Sequence, residues 1–188
     1  MSAHPLAIEL IDRLQDKDRA RVVDLGSGRG RNAQALVEAG FEVVTISDED
    51  ASGRDALGAL AGSFDAVIAT HALLHGTPQS VAERIDAAAH VLCEGGLLHA
   101  TFASVRDARY GKGARLADAT FAPRDGDERG VPHVYYNEAR LRAIITPYFT
   151  IESLEERDAD RVAGTWAHPN TPLRGAVHWL LRAIKAER

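Results

Sequence analysis

The sequence predicts a single α/β domain, residues 1–188, on a doubly wound, mostly parallel sheet, and three observations carry that expectation. An apolar strand ending at Leu25 runs straight into glycines at 26, 28 and 30 and then into a helical pattern. Apolar, β-branched runs recur at 41–47, 64–70 and 97–102, as strands covered on both faces require. The 188 residues are 45% hydrophobic, which supplies one sizeable core and leaves too little chain for a separate recognition domain.

The elements follow in order. Leu6, Leu10, Ile11 and Leu14 recur at helical spacing, so a leading helix packs on the sheet or lids the site. Residues 21–25 form the first strand, and 31–39 form a helix that Gly40 closes. Residues 41–47 are the second strand, and 64–70 and 97–102 are two more. The helix between these last two presents Val81, Ile85, Ala88 and Leu92 on one face. The polar, glycine-punctuated segment 103–136 exceeds the roughly 12–15 residues of an ordinary loop and reads as functional or disordered. Its glycines and tyrosines suggest a lid that orders over bound ligands. Asn137 caps a helix reaching about Ile145, which Pro147 stops, and strands begin at Phe149 and Ala176.

Composition removes several function classes. A formal charge of −5 argues against nucleic acid, whose phosphates call for a basic footprint. No apolar run approaches the roughly 20 residues of a membrane span. The first residues mix acids into their apolar positions, unlike a signal peptide. The lone Cys93 suits a reducing, cytoplasmic setting. Small molecules or protein side chains remain as substrates.

The glycine turn separates two ligand classes. A dinucleotide turn needs G-x-G-x-x-G, and its third glycine position is here Arg31. Asp24, two residues before the first glycine, would repel a pyrophosphate but suits a ligand carrying a cation.

D-L-G-S-G-R-G, residues 24–30, resembles the first motif of the class I S-adenosylmethionine-dependent methyltransferases, an acid followed by G-x-G-x-G. S-F-D-A-V-I-A-T-H-A-L-L-H (63–75) and L-C-E-G-G-L-L-H-A-T-F (92–102) resemble two later segments of that family, in the right order. The resemblance implies a Rossmann-like sheet finished by an antiparallel hairpin from the last two strands. It implies S-adenosyl-L-methionine as cofactor, held by Asp24, Leu25, Gly26, Ser27, Gly28, Gly30, Asn32 and Thr70. The ribose acid that relatives carry at the end of the second strand falls in register at Ser47, so Asp48 is the expected ribose ligand with Glu49 in reserve. R-D-A-L, residues 54–57, resembles the adenine-contacting stretch and assigns Asp55 and Ala56 to the base. Between Ser47 and the 64–70 strand the chain is too short for the family's usual helix and edge strand. The second strand is then an exposed edge, which a loop covers or which pairs in a homodimer.

The acceptor end is implied by the turn after the 64–70 strand, where Thr70, His71 and His75 lie beyond the strand's carboxyl end. An imidazole with a pKa near 6.5 can take a proton from an attacking hydroxyl or amine. Y-G-K-G (110–113) and G-V-P-H-V-Y-Y (130–136) resemble the branch of small-molecule enzymes akin to the tellurite-resistance and thiopurine methyltransferases. That likeness gives Arg106, Tyr110, His133 and Tyr135 to the acceptor; His75 and His133 are the candidate bases, with His71 in the same turn as His75. A zinc set from His71, His75 and His133 lacks the usual ligand spacing, and no metal is expected. The expectation is methyl transfer to a small molecule by in-line attack. A non-catalytic S-adenosylmethionine-binding module and a nucleotide-dependent oxidoreductase are the alternatives.

Overall fold

The computed structural model describes residues 2–47, 63–159 and 175–187. Four parallel strands make its centre: β1 (Arg21–Leu25), β2 (Glu42–Ile46), β3 (Phe64–Ala69) and β4 (Leu92–Ser104), in the order β2-β1-β3-β4. Register is fixed by pairs such as Val23 with Val44, Val23 with Val67, and Val67 with Leu98. The expected hairpin is present: β8 (Phe149–Asp158) pairs antiparallel with β9 (Val177–Lys185), and β9 pairs antiparallel with β4. The result is a mixed Rossmann-like sheet.

Alternation along the strands sends neighbouring side chains to opposite faces, and the two faces make two cores. Val22, Ala66, Ile68, Leu97 and Leu180 meet α1 (Pro5–Leu14) and α2 (Arg31–Glu38) through Leu6, Leu10, Leu14 and Leu36. Val23, Val67, Leu98, Phe102 and Leu181 meet α3 (Pro78–Val91) and α4 (Glu138–Ile145) through Val81, Ile85, Ala88, Leu141 and Ile145. Side chains of this kind are worth about 1.5–3 kcal/mol each when fully buried, so layers on both faces hold the sheet.

Local chemistry sets the helix ends. His4 Nδ1 accepts from Leu6 N at 3.1 Å and Pro5 occupies the first helical position of α1. Thr77 and Ser80 form a reciprocal capping box on α3, and Asn137 accepts from Arg140 N at 2.9 Å on α4. Gly40, at φ 92°, follows α2 and turns the chain into β2.

Three expectations change. Leu92 opens β4 rather than completing the face of α3, and β4 runs from there to Ser104 with a register shift opposite Phe64 and Ala66 that absorbs the glycines of C-E-G-G. The 103–136 segment carries three strands, β5 (Ala114–Ala117), β6 (Thr120–Ala122) and β7 (His133–Tyr136), so it is no structureless loop. β3 stops pairing at Ala69 opposite Ala100, and β7 takes over the same edge of β4 through Ala103–Tyr135 and Ser104–Tyr136. The third concerns the second strand, which is shorter than 41–47. The trimmed edge read from the sequence falls within 48–62, outside the described residues; among those described, β2 is an edge.

Candidate functional site

Parallel strands direct all their carboxyl ends to one rim, and the turns leaving β1, β3 and β4 meet there. In the turn after β1, Gly26, Gly28 and Gly30 have φ of 71°, 52° and 74°, the left-handed region that glycine enters without cost. Gly26 N and Ser27 N donate to Ile46 O at 2.8 and 3.3 Å, pinning the turn to the end of β2 beside the exposed Ser47. Gly30 caps α2 but has no side chain with which to do so. Asp24, 1% exposed, supplies the missing acceptor: its Oδ2 takes the Ala33 N–H at 3.1 Å. The motif acid is thus both a helix cap and a buried negative charge beneath the glycines. A Cβ built on Gly28 or Gly30 would meet no atom of the described residues within 4 Å, so among those residues space lies open above the turn.

Asn32, in the first turn of α2, joins three segments. Its Oδ1 accepts from His4 N at 2.9 Å and its Nδ2 donates to Thr70 Oγ1 at 2.8 Å. His4 is fully buried as a result, and burial, then His71 and Arg31, push its pKa down to about 2.

His71 follows at φ 66°, a conformation that costs a non-glycine residue about 1–3 kcal/mol and persists only where its surroundings impose it. Its N–H donates to Thr101 Oγ1 of β4 at 2.8 Å. Its ring stands edge-on to His178 of β9 at 5.1 Å and to His4 at 6.0 Å. Arg109 donates to His178 Nε2 at 3.3 Å and is gripped by the buried Asp107 at 2.8 and 2.9 Å. Burial and the Arg109 charge hold the His178 pKa down at about 3.

Further along the turn, Arg84 of α3 donates to Ala72 O at 2.9 Å and also to His75 O. A bridge pairs His75 with His133 of β7, flanked by Gly76 N to Pro132 O at 2.8 Å and Val134 N to Leu74 O at 2.9 Å. The two imidazoles stand perpendicular, 4.8 Å apart. Glu128 reaches both: its carboxylate lies 3.1 Å from His133 Nε2 and 3.6 Å from His75 Nε2. Contact with His133 first, then His75, holds the Glu128 carboxyl far below the usual range.

The expected site residues therefore divide. Asp24, Leu25, Gly26, Ser27, Gly28, Gly30, Asn32, Thr70 and His71 are contiguous at the rim, and His75 pairs with His133. Tyr110 stacks edge-on with Phe121 and Tyr135 at 5.4 and 5.5 Å; Tyr135 is 2% exposed, and burial pushes its hydroxyl up to about 12. Arg106 points elsewhere, to Glu156 of β8 at 2.6 Å. Asp48, Glu49, Asp55 and Ala56 lie outside the described residues. Sequence reasoning missed His4, Arg84, Arg109, Glu128 and His178. Only His4 left a signal, an N-cap directly before Pro5 and an apolar helix.

No family model and no curated protein matches the chain. Solved structures do. A SAM-dependent methyltransferase of Methanosarcina mazei superposes with a TM-score of 0.69 at 16% identity, over 98% of this chain and 99% of that one. The 1,6-didemethyltoxoflavin N1-methyltransferase of Burkholderia thailandensis, bound to 1,6-didemethyltoxoflavin and S-adenosylhomocysteine, gives 0.65 at 18% identity over 97% and 77%. A putative S-adenosylmethionine-dependent methyltransferase of Listeria monocytogenes gives 0.61 at 13% over 97% and 99%. The chain has the fold these class I proteins share.

Proposed function

We propose that the protein transfers the methyl group of S-adenosylmethionine to a small-molecule acceptor. The observation that carries this is the turn after β1: three left-handed glycines with open space above them, seated over the buried Asp24 at the rim of this fold. A sulfonium-bearing methionine end suits backbone N–H groups on one side and carboxylate on the other. Asn32 and Thr70 border the same space, and Asp48 or its reserve Glu49 would take the ribose, with Ser47 beside them and Asp55 and Ala56 at the adenine.

The Burkholderia methyltransferase of the same fold holds 1,6-didemethyltoxoflavin, which supports a small-molecule acceptor here. The methyl donor is reactive already, so orientation and exclusion of water supply most of the acceleration. An acceptor with an O–H or N–H must lose a proton. His71, His75 and His133 are the imidazoles we assign to that end, with Tyr110 and Tyr135 as apolar walls and Arg106 at the margin. No helix among the described residues is long and apolar enough to cross a membrane. We keep a cytoplasmic setting and a homodimer through the β2 edge as part of the proposal.

Titration calorimetry with S-adenosylmethionine, S-adenosylhomocysteine and NAD tests the cofactor, with tight binding of the first two expected. A methyl-transfer screen over thiols, phenols, amines, halides and oxyanions then finds the acceptor. Binding of NAD alone would overturn the assignment, and binding without turnover on any acceptor would identify a non-catalytic module.

A further inference from the structure

We propose that His75 Nε2, His133 Nε2 and the Glu128 carboxylate form a site for one divalent transition-metal ion of the zinc class. The inference rests on these side chains and not on the methyl-transfer reading; with an ion bound, His75 and His133 act as ligands, and His71 is the one of the three imidazoles left as a base.

The donor set is the first argument. Two imidazole nitrogens and one carboxylate are zinc-type ligands, and three protein ligands leave a fourth position open to water or a substrate atom. The distances are the second. Ligands about 2.1 Å from a tetrahedral ion stand about 3.4 Å from one another. Here Glu128 Oε2 lies 3.1 Å from His133 Nε2 and Oε1 lies 3.6 Å from His75 Nε2, and one donor atom from each of the three residues falls within 4.8 Å of the others.

Orientation is the third. His133 Nδ1 lies 2.9 Å from Val131 O, and a carbonyl only accepts, so Nδ1 carries the hydrogen. The neutral ring then carries its lone pair on Nε2, the nitrogen on the Glu128 side, and Val131 O is the outer contact of the kind that orients a metal-binding histidine. The His75–His133 bridge and the Arg84 contact to His75 O fix the second ligand from the backbone side. Arg109 Nη1 lies 3.9 Å from Glu128 Oε2, and its charge is offset by the bidentate Asp107. His71, which the sequence grouped with these two histidines, lies instead against His178 and His4, and Glu128 takes its place.

The experiment uses the untagged full chain, stripped with chelator and titrated with cobalt(II), whose visible ligand-field absorption reports nitrogen and oxygen ligation. One equivalent should produce the band, and zinc should abolish it by displacement. His75→Gln, Glu128→Gln and His133→Gln should each weaken binding by more than about a hundredfold, beyond the loss typical of an outer-shell change. His71→Asn should leave it intact. Circular dichroism checks that each variant folds, and a rise in wild-type melting temperature with zinc gives a second readout independent of variants. Absence of the band in the wild-type chain, wild-type affinity in folded Glu128→Gln or His133→Gln, or loss in folded His71→Asn would each overturn the site. S-adenosylhomocysteine titrated into the same samples reports separately on the glycine turn, so failure of either reading is visible without the other.

Discussion

Asn32 Nδ2 donates to Thr70 Oγ1 across 2.8 Å, which couples the helix after the glycine turn to the turn that carries the histidines. The same amide accepts the His4 N–H, so one 3%-exposed side chain holds together the chain start, α2 and the end of β3. Replacing it with alanine strands at least one buried donor, at about 1–3 kcal/mol for each group left without a partner. Asn32→Ala should therefore unfold at a lower urea midpoint and also bind S-adenosylhomocysteine more weakly, since Thr70 and the glycine turn lose their common anchor. Both effects are read on one protein by chemical denaturation and calorimetry.

Gly28→Val separates ligand space from folding. Among the described residues nothing lies within 4 Å of the added Cβ, and the cost to the fold is the left-handed backbone, about 1–2 kcal/mol. The space they fill is the one assigned to the cofactor. Circular dichroism should be unchanged while S-adenosylhomocysteine binding disappears. Wild-type affinity in Gly28→Val would move the cofactor away from this turn.

Acid should destabilise the protein earlier than carboxylates alone would. His4, His99 and His178 are all held neutral in the fold by burial, with pKa values below the ordinary 6.5. In the unfolded chain they ionise near 6.5, so below that pH the unfolded state binds more protons. Stability is fully present above pH 6.5 and falls as pH drops below it, by up to about 1.4 kcal/mol per pH unit for each histidine. Below the usual carboxylate range Glu9 and Glu128, both depressed, add to the loss. Urea unfolding between pH 7.5 and 4.5 gives the slope, and His99→Gln should reduce it by about one proton while Gln retains a donor for Leu6 O.

How much of this was legible depends on range in sequence. The strand–glycine–helix passage at 21–38 is local: Leu25 ends a buried strand, Gly30 starts the helix, and the turn between them is dictated by residues adjacent in the chain. The same holds for Asn137 on α4. Glu128 is the opposite case. It sits in the polar run D-G-D-E-R-G, indistinguishable by composition from a solvated turn, and gains meaning only because β7 crosses the end of β3 and brings His133 against His75. His178 was equally silent, one polar residue in an apolar strand, until the antiparallel pairing with β4 placed it opposite Ala103 near His71. The strands of the 103–136 segment are hidden for a related reason: they are three or four residues long and pair across turns, too short for periodicity to register.

Gly76 tests whether the histidine turn is held as tightly as its contacts imply. It sits at φ 107°, and a Cβ there would lie 2.4 Å from Ser80 Oγ and 2.6 Å from Arg84 Nη2. Ser80 belongs to the capping box of α3 and Arg84 grips the carbonyls of Ala72 and His75, so neither yields without releasing something. Gly76→Ala should cost about 1–3 kcal/mol from backbone strain alone, and more from the displaced guanidinium. The displacement frees the backbone of His75 while leaving the glycine turn untouched. S-adenosylhomocysteine affinity should then stay near wild type in Gly76→Ala while the turnover of any acceptor found by the screen falls. Equal loss of both would mean that the turn after β3 and the turn after β1 form one rigid unit rather than separate acceptor and cofactor ends.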